Sequence, residues 1–165
     1  MSRPDPVVAG LSFGANLGDS ATAVGHAIAG VAALPHTRLI RQSSFYRTEP
    51  WGPIRQDWFI NAVALYETAL APHDLLAACQ AIERAIGRAP TAPKGPRIID
   101  IDIVFYGDAV IDTATLTTPH PHYHERRFVL APLLEIAPDL AINGIPVRDS
   151  LEALADDRLK VEQLP

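Results

Sequence analysis

The sequence predicts an α+β ferredoxin-like sandwich: an antiparallel sheet, helices packed on it, and long loops at an active-site end. Two observations predict it. The apolar segments run strand, helix, strand, strand, helix, strand, followed by a helical tail. Five of the 15 prolines fall in two stretches, around residues 50–53 and 90–96, which read as long shaped loops between those elements.

Each element has its own signal. Residues 7–13 read as a buried first strand, and 14–20 as a turn with Asp19 or Ser20 as N-cap of a helix over 21–34. Residues 37–48 form the second strand candidate, 49–57 a loop, and 58–68 a third strand rich in aromatic and β-branched residues. Pro72 suits the first position of a second helix, whose core stripe is Leu75, Cys79, Ile82 and Ile86 and whose stop is Gly87. After a loop over 88–96, an Asp-x-Asp strand runs to Tyr106 and turns at Gly107-Asp108. A short helix is expected over 127–136, a turn at Asn143-Gly144, and a last helix over 149–155. The helices should cover one sheet face and leave the other for loops and ligand.

The 165 residues read as one catalytic domain with an irregular segment at 1–6. A charge of −5 argues against a nucleic-acid binder, though it leaves room for a local basic pocket. The single cysteine, Cys79, excludes a disulfide framework and belongs to core packing. No apolar run is long enough for a membrane span, and the N-terminus has no apolar signal region, so a cytoplasmic protein is expected.

The densest signal is Gly95-Pro96-Arg97-Ile98-Ile99-Asp100-Ile101-Asp102-Ile103. Strand alternation puts Asp100 and Asp102 on one face, roughly 6–7 Å apart, and the isoleucines on the other. Such a pair is either two solvated acids or a divalent-metal site on a polyphosphate. Arg97, entering from a Gly/Pro loop, favours phosphate chemistry. Arg88 caps the second helix and, with Arg97, brackets the Pro-rich loop, so two guanidinium groups can fold over one phosphate chain. Gln80 and Glu83 lie on a helix flank with Leu76, which in isolation is an ordinary solvated edge. Phe59 and Asn61 share a strand face: either a core Phe with a rim Asn, or a plane and an amide suited to a flat heterocycle. Trp51, in the loop of Thr48, Glu49 and Pro50, is placed to line a pocket. His120, His122 and His124 would converge on zinc only in a regular strand, which Pro119 and Pro121 oppose. Phosphate donation by His and Arg fits the acidic pair better.

Several motifs occur in one order: Gly14-Ala15-Asn16-Leu17-Gly18-Asp19, Ser43-Ser44-Phe45-Tyr46-Arg47-Thr48-x-Pro50, Phe59-x-Asn61, Gly95-Pro96-Arg97-x-x-Asp100-x-Asp102, and Pro119-His120-Pro121 to Arg126-Arg127-Phe128. Together they resemble the 6-hydroxymethyl-7,8-dihydropterin pyrophosphokinases of folate biosynthesis, over about residues 8–154. The resemblance implies a monomeric enzyme that transfers pyrophosphate from ATP to the pterin hydroxymethyl group and releases AMP. It implies two Mg²⁺ ions on Asp100 and Asp102, and catalytic roles for these two with Arg88 and Arg97. Thr48, Pro50, Trp51, Phe59, Asn61 and Phe128 would form the pterin pocket. Gln80, Glu83, Arg88, Arg97, His120 and Arg126 would contact ATP, with Leu76, Ile103 and Thr117 near its adenosine end. Lys94 departs from relatives that carry a Trp lid there, and Pro121 from relatives with Tyr. The competing readings are a two-metal nucleotidyltransferase, which releases pyrophosphate instead of AMP, and a non-enzymatic ferredoxin-like binding module, which needs no acidic pair.

Overall fold

The computed structural model describes residues 4–50, 52–88, 95–155 and 159–165. Trp51, Lys94 and most of the loop expected over 88–96 lie outside them. The main sheet contains β1 (Val7–Ala15), β2 (Thr37–Gln42), β3 (Tyr46–Thr48), β4 (Phe59–Thr68), β5 (Asp100–Tyr106) and β10 (Val161–Gln163). Its order is β10-β3-β4-β1-β5, with β2 also on β4, and every ladder is antiparallel. Short pairs β6 (Ile111–Asp112) with β7 (Thr117–Thr118), and β8 (Ala141–Ile142) with β9 (Ile145–Pro146), decorate it.

The second strand expected over 37–48 is two strands. Ser43 separates them: its amide donates to the Val63 carbonyl, and its hydroxyl accepts from the Val63 amide at 2.9 Å. The side chain thereby takes over a pairing that the bent backbone gives up.

Helices α1 (Ser20–Ala32) and α2 (Pro72–Ile86) pack on one sheet face around Leu11, Phe13, Tyr66, Ile101 and Ile103. Asp19 caps α1, its carboxylate accepting from the Thr22 amide at 3.2 Å. Cys79 is fully buried there, and burial pushes its thiol up to about 12, so it stays an inert packing group. The expectation of helices on one face only is overturned. On the opposite face, α3 (Arg127–Ile136) and α4 (Val147–Glu152) form a second core, where Val129, Leu130 and Leu133 meet Val63, Leu65, Val104 and Phe105. The last helix therefore starts and ends earlier than 149–155. The apolar stripe of α3 guarantees burial but carries no information about which face it finds.

A bulge in β5 builds that second core. Leu11 pairs with Ile103 and Gly10 with Phe105, so Val104 is the extra residue. Val104 and Phe105 consequently face α3, while Ile103 and Tyr106 face α1 and α2. Position 10 must be glycine, because a Cβ there would fall 2.3 Å from the Phe105 ring.

Helix α3 leaves part of its face uncovered. Beyond it, the ends of β1, β3, β4 and β5 carry Ser12, Gly14, Thr48, Phe59, Asn61, Asp100 and Asp102 on an uncovered floor.

Candidate active site

The floor of this cleft is set by register. Asp100 pairs with Gly14, and Gly14 on its other side pairs with Asn61. Two strand spacings therefore separate the acid from the amide, about 10 Å. Gly14 keeps the space between them open, since a Cβ there would lie 2.6 Å from Asn61 Oδ1. One row along, Asp102 lies opposite Ser12. The segment from His120 to Phe128, entering α3, makes one wall, and Gly95 with Arg97 makes the other.

One end of the cleft is aromatic. Phe59 and Phe128 line it, together with Asn61, whose Nδ2 donates to Thr48 Oγ1 at 2.5 Å. Asn61 and Thr48 are both buried, at 7% and 1% exposure, so the amide is fixed before any ligand arrives.

The other end is charged. Arg88 Nη1 donates to Asp100 Oδ1 at 2.8 Å and also to the Glu83 carboxylate. Arg126 lies 3.5 Å from Asp102 Oδ2, and His120 Nε2 lies 3.9 Å from the same oxygen. Asp100 is raised to about 6, by desolvation first and then by its neighbour Asp102. Asp102 is raised too, by desolvation, against the pull of Arg126. Their side chains remain about one third exposed at the cleft mouth, so a solvated ion can reach them. Burial and Arg126 hold His120 down to about 4, hence neutral near pH 7. Its Nδ1 accepts the His122 amide at 3.1 Å, which assigns the proton to Nε2, on the Asp102 side.

The cleft gathers Thr48, Phe59, Asn61, Arg97, Asp100, Asp102, His120, Arg126 and Phe128. Its lining leaves out Pro50, Leu76, Gln80, Glu83, Ile103 and Thr117, and Arg88 meets it through Asp100. Glu83 is no solvated helix edge: it is 5% exposed and accepts the Ile101 amide at 2.9 Å. Ile103 is buried on the face covered by α1 and α2, and Gln80 is exposed on α2. Arg88 does not simply cap α2 but reaches across to β5. His122 and His124 stay at the surface beside Glu125, and no group of three or more His, Cys, Asp or Glu converges among the described residues.

Ser12, Gly14, Glu49 and Gly95 also line the cleft and were not among the candidate site residues, although Gly14, Glu49 and Gly95 stand in the quoted motifs and loop. The alternation along 7–15 contains the signal for two of them, because Ser12 and Gly14 are the non-apolar positions facing away from Leu11 and Phe13.

A family model described as 7,8-dihydro-6-hydroxymethylpterin-pyrophosphokinase (HPPK) matches residues 10–138. The chain belongs to this family. A 2-amino-4-hydroxy-6-hydroxymethyldihydropteridine pyrophosphokinase from Methylorubrum extorquens is 47% identical over 144 residues, covering 87% of this chain and 91% of the relative. Its counterpart from Pseudomonas aeruginosa is 42% identical over 132 residues, covering 80% and 82%. The folic acid synthesis protein fol1 of Schizosaccharomyces pombe is 40% identical over 93% of this chain, which spans only 21% of that protein. Among solved structures, a Plasmodium falciparum HPPK-DHPS superposes with a TM-score of 0.76 at 14% identity, over 94% of this chain and 44% of the other. That likeness carries the fold, and the sheet order described above is the ferredoxin-like one. No helix among the described residues is long and apolar enough to cross a membrane.

Proposed function

We infer that the protein transfers pyrophosphate from ATP to the hydroxymethyl group of 6-hydroxymethyl-7,8-dihydropterin, releasing AMP, as a folate-biosynthesis enzyme of the HPPK family. One observation carries this reading: a preset amide, in a cleft also lined by Phe59 and Phe128, lies about 10 Å from Asp100 of a carboxylate pair that has cationic and imidazole donors around it. That span suits a flat bicyclic ring at one end and the phosphate accepting its hydroxymethyl oxygen at the other. The protein acts as a single catalytic domain, a cytoplasmic monomer.

Phe59 and Phe128 hold the pterin faces, and Asn61 with Thr48 reads its polar edge. Arg97, Arg126 and His120 bind phosphate oxygens, with Arg88 joining them after leaving Asp100. Asp100 and Asp102 fit Mg²⁺. They are two hard oxygen donors whose mutual repulsion and burial favour a cation, and too few to cage one without phosphate and water. When bound, two Mg²⁺ ions would neutralise charge on the triphosphate. The hydroxyl oxygen of the pterin forms a bond to the β-phosphorus, and the bond from that phosphorus to the bridging oxygen of the α-phosphate breaks. AMP carries away the electron pair, and the hydroxyl proton passes to water or to a cleft carboxylate. The chain's part is alignment and charge stabilisation.

Chromatography of the products from ATP, Mg²⁺ and the hydroxymethyl-dihydropterin tests the reading. One AMP should appear per diphosphorylated pterin. ADP, or free pyrophosphate with a nucleotidylated pterin, would sink it.

A further inference from the structure

Asn16 lies just beyond β1, is 6% exposed, and uses its whole amide. Its Oδ1 accepts the Arg97 amide at 2.9 Å. Its Nδ2 donates to Gln56 Oε1 and to the Asp57 carbonyl, each at 2.9 Å. The main chain closes the circuit, since the amides of Asn16 and Leu17 both donate to the Arg97 carbonyl, at 2.9 and 3.1 Å.

This replaces a strand. The β1–β5 ladder ends at the Gly14–Asp100 pair, so Arg97 has already left the sheet. Its N–H and C=O are nevertheless both held, one by an asparagine side chain and one by two amides. Arg97 therefore lines the cleft from a backbone fixed relative to the floor, three residues before Asp100, with its Nη1 donating to the Gly95 and Pro96 carbonyls at 3.2 and 3.3 Å. The other arm of the same amide holds Gln56 and Asp57, just ahead of Phe59 at the pterin end. Only a group with two donors and one acceptor, set at this reach, satisfies all three partners.

We propose that Asn16 is a positioning residue for the reaction: it sets the reactive pose of Arg97 and couples that residue to the strand carrying Phe59 and Asn61. The proposal rests on the reading of Arg97 as a phosphate-binding side chain. Asn16 touches no substrate and acts through the backbone of its neighbours.

A double-mutant cycle on kcat tests it. Asn16→Ala should lower kcat by about tenfold to a hundredfold, the usual cost of a misplaced catalytic group. In an Arg97→Ala background the same substitution should cost less than about twofold, because the group it positions is gone. Asn16→Asp keeps the acceptor for the Arg97 amide but turns both donors into an acceptor. It should restore kcat to within about threefold of wild type while raising the pterin KM, since its loss falls on the Asp57 arm. Thermal unfolding of each variant separates these effects from stability, which a merely structural asparagine would change without a split between kcat and KM. Should Asn16→Ala fail to fold, Asn16→Ser takes its place in the cycle. A loss that persists undiminished in the Arg97→Ala background, or an Asn16→Asp enzyme as slow as Asn16→Ala, would overturn the proposal while leaving the role of Arg97 intact. An Arg97→Ala enzyme with unchanged kcat would overturn the phosphate reading and the proposal with it.

Discussion

Arg88 donates to Asp100 at 2.8 Å, and the same guanidinium nitrogen donates to Glu83. The free protein thus neutralises one of its two proposed metal ligands with its own arginine. Glu83 holds that arginine from below, and also ties α2 to β5 through the Ile101 amide. Removing the carboxylate leaves a buried amide without its acceptor, at a cost of about 1–3 kcal/mol. Glu83→Ala should lower the denaturant midpoint accordingly, and Glu83→Gln, which keeps an acceptor, should lose less. Equal stability of Glu83→Ala and wild type would show that the Ile101 contact contributes nothing.

Asp100 and Asp102 stand on the uncovered floor, so replacing them should not disturb either core. Asp100→Ala and Asp102→Ala should each reduce turnover by about a thousandfold or more, given what single charge-stabilising groups contribute. Circular dichroism should match wild type. Ordinary turnover in either variant would remove the pair from the mechanism.

Asp100 also gives the metal-free protein a pH dependence with a definite sign. Its folded pKa, about 6, lies above the ordinary value of 3.8. The folded state therefore binds the proton more tightly than the unfolded chain does. That contribution is complete below about pH 4 and is lost as pH rises through 6. Melting of the metal-free protein should fall over this window. Asp100→Asn should flatten the slope, and saturating Mg²⁺ should restore stability near pH 7. A slope unchanged in Asp100→Asn would assign it to another group.

The chain order, the antiparallel sheet and most element limits are legible because they rest on local signals: Pro72 at a helix start, Gly87 at its stop, alternation around Asp100 and Asp102. Three features rest on contacts between distant segments and are not. The burial of Glu83 depends on an amide 18 residues away. The face chosen by α3 depends on the bulge at Val104, which no residue type announces. The break at Ser43 depends on Val63. It is reinforced by Glu135 of α3, which accepts from the Ser44 amide at 3.1 Å and from the Tyr46 hydroxyl at 2.6 Å. The pterin end is only half legible for a related reason: Phe59 and Asn61 stand in the alternation, but the empty space that Gly14 leaves beside them is visible only across two strands.

That space makes Gly14 a sharp test of the pterin assignment. Gly14→Ala sends a methyl group to within 2.6 Å of Asn61 Oδ1, so the amide must rotate and its bond to Thr48 must loosen. Asp100 on the far side keeps its own position in the ladder. The pterin KM should rise about tenfold, equivalent to about 1.4 kcal/mol, with the ATP KM little changed. Equal increases for both substrates would mean that Asn61 does not belong to a separate pterin end.

The C-terminal strand, which the sequence did not announce, yields the last prediction. Strand β3 is three residues long and carries Thr48, the partner of Asn61. Without β10 it would be a bare edge. With β10, Val161 pairs with Thr48, the Glu49 amide donates to the Lys160 carbonyl at 3.0 Å, and the Leu164 amide to the Phe45 carbonyl at 2.8 Å. On the exposed side, Arg47 sits 3.6 Å from Glu162 and stacks 4.2 Å above the Trp58 ring, adding surface contacts of modest worth. The tail thus supports the Thr48 side of the pterin end. Deleting residues 159–165 should leave both cores folded, raise the pterin KM by about tenfold, and change the ATP KM by less than about twofold, since only the Thr48 side loses its support. Calorimetry with each ligand should show the same asymmetry. A truncated enzyme with wild-type pterin affinity would mean that β4 alone holds Thr48 in place, and that β10 protects a strand edge without shaping the cleft.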